Sequence, residues 1–256
     1  MTGTNPGPPA PADPIQADGT PEPVWRAWSR LGKLPAAILP DGGRIVIVAA
    51  HPDDEVLGAG GTIALLAASG ARLTVVSVTD GEGSHPHSTR VTPAELAAIR
   101  AEELRAALTA LGASSAEVVR LGVADTQVAG HEDEVAAALR PFLDGSRLCL
   151  APWTGDVHSD HEAAGRAARA AARAASVDCW TYPVWMWHWA RPDDTRVPWD
   201  SAVSVGLPQG ISELKHRAVQ RFVSQIHPLG PDASDAAILP PDELAHHLRD
   251  IEVFFT

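Results

Sequence analysis

A chain of 256 residues is long enough for one large α/β domain with a substantial core, and its length forces no division into two. Its formal net charge of -12, without a dense basic patch, argues against a nucleic-acid partner, because phosphate binding is driven by clustered Lys and Arg. No run approaches the roughly 20 apolar residues of a membrane span, and the first residues lack the basic and apolar regions of a secretory signal, so a soluble, cytoplasmic protein is expected. Cys149 and Cys179 each lie in an apolar stretch and read as reduced thiols of a reducing compartment.

Residues 1–23 are rich in Pro, Gly, Thr and Ala, have little to bury, and are expected to form a disordered tail before a single domain over 24–256. Trp25, Trp28 and Leu31 recur at helical spacing and predict a short amphipathic helix. From Arg44 the pattern alternates, with strands over 45–50, 72–79, 117–121 and 147–151 and helices over about 58–69, 93–111, 132–143 and 161–175. Such alternation predicts an α/β fold of parallel strands joined by right-handed crossovers. Thr92-Pro93-Ala94-Glu95 carries a helix-start signal with a capping box, and Gly112 ends that helix. Cys179 to Trp189 reads as a long aromatic strand with Trp185, Trp187 and Trp189 on one face, more often core than a sugar platform. A strand over 202–205, helices over about 211–226 and 241–249, and a strand over 251–255 complete the chain.

Ala50-His51-Pro52-Asp53-Asp54-Glu55 follows the apolar run Ile45 to Ala49, which places charged groups at the mouth of a buried strand. A second cluster, His158-Ser159-Asp160-His161, follows the fourth strand. If the strand order is 3-2-1-4-5, both clusters open into the crevice between the first and fourth strands, where open α/β sheets bind ligands. His51, Asp54 and His161 offer two imidazoles and a carboxylate, a set that suits Zn²⁺ with one position left open, although another divalent ion would also serve. Asp53, beside a ligand, is free to take a proton, and His158 could stabilise an oxyanion or protonate a leaving amine.

Other features read more simply. Gly58-Ala59-Gly60-Gly61 is a poor dinucleotide fingerprint, because Ile63 stands at the third glycine position. His85 and His87 read as loop residues at the crevice, His246-His247 as a helix surface pair, and Arg100 with Glu103 as an i,i+3 ion pair.

The two clusters together resemble the PIG-L (LmbE-like) family of zinc-dependent de-N-acetylases. The resemblance extends through Thr79-Asp80-Gly81-Glu82, Arg100-Ala101-Glu102-Glu103, Leu111-Gly112 and Leu121-Gly122-Val123-Ala124-Asp125, with a weaker echo in Lys215 to Gln225. It implies a single-domain Rossmann-like sandwich with a mostly parallel central sheet and helices on both faces. It also implies zinc on His51, Asp54 and His161, Asp53 as general base, and His158 as acid or electrophilic partner oriented by Asp160. Arg100 and Asp125 match positions that contact the sugar. The expected substrate is a small N-acetylated glycoside of N-acetylglucosaminyl type, deacetylated to a free amine and acetate. Two alternatives stay open: an amidase acting on a larger thiol-glycoside or acylated glycosylated natural product, and a non-catalytic sugar- or metal-binding module. The oligomeric state, a homo-oligomer included, is not specified by the sequence.

Overall fold

The computed structural model describes residues 13–256. Seven strands form one sheet in the order β3-β2-β1-β4-β5-β7-β6. β1 (Arg44–Ala49), β2 (Arg72–Ser77), β3 (Glu117–Arg120), β4 (Leu148–Pro152) and β5 (Cys179–Tyr182) run parallel. β7 (Ile251–Phe255) is antiparallel to β5, and β6 (Ala202–Gly206) antiparallel to β7. This is an α/β fold with a mostly parallel sheet and helices on both faces.

β1 reads as an unbroken apolar run because both of its faces are covered. Ile45 and Ile47 point to one core, with α2 (Asp54–Ala68), α3 (Pro93–Ala110) and α7 (Gln209–Val219). Val46 and Val48 point to the other, with α4 (Glu132–Leu143) and α5 (Ser159–Ala175). The alanines of α5 bring it close to the sheet, and a side chain at Gly165 would meet the Pro152 carbonyl. The capping box at Thr92 is formed: Glu95 N–H donates to Thr92 Oγ1 at 3.2 Å, and Thr92 N–H to Glu95 Oε2 at 2.8 Å. Cys149 and Cys179 face each other across β4 and β5, both as free thiols.

Several expectations are corrected. The tail does not extend to residue 23; residues 1–12 lie outside the described ones, but from Asp13 the chain is laid onto the domain. Thr20 Oγ1 donates to Ala190 O at 2.6 Å. Glu22, the first residue of α1 (Glu22–Ala27), is buried against Arg249 and against His246 Nδ1 at 2.8 Å. A count of large apolar side chains misses an anchor made of partnered polar groups. His246 and His247 are accordingly buried, on α9 (Pro241–His247), rather than on a helix surface.

α2 begins at Asp54 rather than near residue 58, and its glycines serve close packing: a Cβ at Gly58 would strike the Tyr182 ring. The helix is kinked at Ala59, and buried Glu252 accepts Gly61 N–H at 2.7 Å, Thr62 N–H at 2.8 Å and Thr62 Oγ1 at 2.6 Å across the kink. The aromatic strand stops at Tyr182; Pro183 follows, and Met186–Trp189 is a helical turn, α6. Trp187 joins Trp25, Trp199 and Phe255 in a third core, while Trp189 stacks on Trp153. The helix expected over 211–226 is broken into α7 and α8 (Val223–Ile226), where Glu103 accepts Ser224 N–H and Oγ at 2.7 Å each instead of pairing with Arg100.

Candidate metal centre and its cavity

The loops after β1, β3 and β4 converge because β1 lies between β2 and β4, the crevice position of an open sheet. His51 follows β1, Asp54 opens α2, and His161 stands in the first turn of α5. Asp53, Thr126 and Val157 in these loops have φ of 148°, 71° and 72°, a left-handed region costly for side-chain-bearing residues. Such strain gathers where surrounding structure over-determines a site.

His51 Nδ1 and His161 Nε2 lie 3.2 Å apart, Asp54 Oδ2 is 3.5 Å from the first and Asp54 Oδ1 3.2 Å from the second. Ligands 2.0–2.1 Å from a tetrahedral Zn²⁺ stand about 3.3 Å from one another, so the spacing fits such an ion. The outer ring nitrogens are held by carboxylates: His161 Nδ1 by Asp156 Oδ2 at 2.7 Å, His51 Nε2 by Asp125 Oδ1 at 3.1 Å. Protons held on those outer nitrogens leave each inner nitrogen a lone pair aimed at the centre. Burial would lower both imidazoles, yet Asp125, Asp160 and Asp54 hold His51 well above its ordinary value, and Asp54 and Asp156 push His161 up to about 9. The carboxylates therefore call for positive charge here, while two protonated nitrogens cannot face each other at 3.2 Å. A cation between the lone pairs meets both demands. His158 also brings a nitrogen near those of His51 and His161, and Asp125 and Asp160 group likewise with His51, so the cluster can hold a metal ion in more than one donor set.

Asp53 is buried and paired with Arg100 Nη2 at 3.0 Å. Burial raises its carboxyl, Arg100 opposes, and the net position is about 6. The Arg100 guanidinium also donates to Gly81 O at 2.9 Å and Pro52 O at 2.8 Å, tying the loops together while it lines the cavity. His158 is pushed down to about 3 by burial and by the charges of His161 and His51, so its imidazole is neutral.

Asp160 does not orient His158. Its carboxylate accepts Thr126 N–H at 2.7 Å and Val128 N–H at 3.2 Å, and His158 Nδ1 has no partner among the described residues. Beside Asp125, which holds His51, the carboxylate that orients His161 is Asp156, which sequence reasoning missed. Besides His161 it accepts Val184 N–H at 3.0 Å, Trp185 N–H at 2.9 Å and Met186 N–H at 2.9 Å. The available signal was an Asp two residues before His158, in a loop between a strand and a ligand-bearing helix.

His51, Asp53, Asp54, Arg100, Asp125, His158 and His161 border a cavity of about 640 Å³, within the range of small-molecule sites. Its other walls come from Ile15, Gln16, Trp185, His188 and the loop around Ala236 to Leu239. His85 is held at this rim, with Nε2 3.1 Å from Ala236 O. No described helix is long and apolar enough to cross a membrane.

Residues 46–172 match the family described as PIG-L: GlcNAc-PI de-N-acetylase. A 1D-myo-inositol 2-acetamido-2-deoxy-alpha-D-glucopyranoside deacetylase of Rhodococcus opacus (strain B4) is 32% identical over 184 residues, 62% of this chain and 59% of its own length. A deacetylase of the same description from Catenulispora acidiphila is 30% identical over 210 residues, 72% of this chain and 64% of its own. The chain thus spans less than two thirds of these relatives. The N,N'-diacetylchitobiose deacetylase of Pyrococcus horikoshii shares the fold, with a TM-score of 0.54 and 22% identity over 74% of this chain and 71% of its own. The matched segment contains His51, Asp53, Asp54, His158 and His161, and on this evidence the chain belongs to the PIG-L family.

Proposed function

We propose that the protein is a zinc-dependent hydrolase that removes the acetyl group from a small N-acetylglucosaminyl glycoside, giving a free amine and acetate. The observation that carries this reading is the buried triangle of His51 Nδ1, His161 Nε2 and Asp54 with a further carboxylate, Asp53, beside it. Zn²⁺ bound there would polarise the acetyl carbonyl and lower the pKa of water at the open position. His51, Asp54 and His161 would hold it, and Asp125 and Asp156 fix the tautomers of the two imidazoles. Arg100 holds one oxygen of Asp53. The carboxylate takes a proton from the attacking water and returns it to the departing amine, a role that suits a group near pH 6. His158, neutral and close to both metal-binding imidazoles, offers an N–H toward the developing oxyanion. A non-catalytic module would need no proton acceptor beside the ion.

A small uncharged glycoside is favoured over a phospholipid conjugate. Arg100 is the one Lys or Arg among the described residues around the cavity, and it is committed to Asp53 and two carbonyls. The free thiols Cys149 and Cys179, adjacent yet unbridged, support a reducing, cytoplasmic compartment.

Incubation with N-acetylglucosaminyl glycosides should yield products lighter by one acetyl group in mass spectra. His161→Ala should lose both bound metal and activity, since two remaining ligands rarely hold zinc. Unchanged metal stoichiometry in His161→Ala would sink the assignment.

A further inference from the structure

The matched family segment, residues 46–172, supplies the metal cluster but not the whole cavity. The turn at Asp13–Gln16, the residues Trp185 and His188, and the loop around Ala236 lie outside it and form the remaining walls. The turn is built locally, with Gln16 N–H donating to Asp13 O at 3.0 Å and Ile15 N–H to Asp13 Oδ1 at 3.0 Å. It is then latched. His188 Nε2 lies 2.9 Å from Ala17 O, His188 Nδ1 lies 2.8 Å from Glu243 Oε2, and Thr20 N–H donates to His188 O at 2.7 Å. A side chain at Gly19 would meet the His188 ring, so the latch closes only over a glycine.

The latch is joined to the cluster by one short element. The backbone N–H groups of Val184, Trp185 and Met186 grip Asp156, the carboxylate that orients His161. α6 carries the chain on from Met186 to His188, a rise of about 3 Å. The turn at Asp13–Gln16 is therefore held beside the acetyl-processing end by the same element that braces it. Asp13 and Gln16 are exposed polar side chains, able to exchange hydrogen bonds with hydroxyl groups.

We propose that the turn Asp13–Gln16, latched through His188, is the wall that selects the aglycone, admitting a compact hydroxylated group and excluding bulky ones. It rests on the de-N-acetylase reading for the identity of the ligand. The specificity-determining residues are Ile15 and Gln16, with His188 and Gly19 as positioning residues. Neither the catalytic step nor the metal requires the turn.

The test uses the full chain and N-acetylglucosaminides bearing methyl, cyclitol and bulky polycyclic aglycones. Dissociation constants are measured in the Asp53→Asn background, and acetate release with Asp53 intact. Gln16→Trp should lower the cyclitol-to-methyl preference about tenfold, and Gly19→Val should raise the bulky-to-methyl preference about tenfold, the scale of one side chain's worth of pocket contact. Gln16 is exposed, so its replacement leaves folding intact even if Gly19→Val does not. Preferences that match wild type in Gln16→Trp, or binding of none of the glycosides, would overturn the proposal. Shifted binding preferences without acetate release would leave it standing and remove the deacetylase reading; acetate release with unshifted preferences would do the reverse.

Discussion

His161 is held from both sides, by Asp54 at Nε2 and by Asp156 at Nδ1, and its role depends on both. Asp156→Asn would replace a carboxylate that accepts three backbone N–H groups and one imidazole with a group half of which is a donor. Loss of such an outer partner typically costs about 10–100-fold in metal affinity, and a zinc titration of Asp156→Asn should show a weakening of that size with His51, Asp54 and His161 intact. Wild-type affinity would mean that Asp156 is only a loop brace. At this scale the residues within short motifs were legible in the sequence: His51, Asp53, Asp54, His158 and His161 all meet at one cavity. Asp156 was not, because its importance lies in the residues 184–186 that wrap it, and no local pattern announces a partner nearly thirty residues away. Asp160 was misread for the converse reason: two residues from His158 in sequence, it turns toward the Thr126 loop in space.

The kink in α2 sets the direction of the turn that carries Asp54, and it is splinted by a buried ion pair. Lys215 Nζ donates to Leu57 O at 2.9 Å before the kink and lies 2.7 Å from Glu252 Oε1, while Glu252 takes the N–H groups after it. Both are almost fully buried. Removing one partner of such a pair typically costs about 3–5 kcal/mol, and Glu252→Gln should reach that range in urea unfolding because it also weakens three acceptor contacts. Lys215→Met should cost less, since Glu252 keeps its other donors; the opposite order would contradict the splint. Elements governed by local signals were the legible ones, as with the capping box at Thr92 and the alternating core of β1 and β2. The sequence from Cys179 to Trp189 failed as a strand because Pro183 and the grip of Asp156 on the next three N–H groups override β propensity. Residues 13–23 failed as a tail because their anchoring groups are polar.

Across the whole molecule, the N-terminal segment and the C-terminal elements are locked together at Glu22, and the lock has a defined pH range. Burial would raise the Glu22 carboxyl, but His246 and Arg249 hold it down at about 2, against 4.5 for the free group. A depressed carboxyl contributes stability that is complete above pH 4.5 and is lost as the pH falls toward 2. Melting temperature should therefore decline through that window, and Glu22→Gln should be less stable at neutral pH with a shallower acid limb. An acid limb of unchanged slope would show that Glu22 contributes nothing to it. The parallel alternation of strands and helices was legible in the sequence, and the strand order around the crevice, which the sequence reading assumed, is the one found, whereas the antiparallel β7-β6 edge and the walls beyond residue 172 follow no such rule.

The proposed hydrolysis turns on Asp53 moving a proton that metal binding alone does not move. Asn keeps the shape and an oxygen for Arg100 but cannot accept a proton at neutral pH. General acid–base groups typically contribute about 10²- to 10⁴-fold. The decisive measurement is the rate of acetate release from an N-acetylglucosaminyl glycoside by zinc-loaded wild type and Asp53→Asn at equal metal content. A loss of about 10²- to 10⁴-fold in the variant is the predicted result. Equal rates would contradict the mechanism, and no acetate from the wild type across a panel of such glycosides would contradict the function.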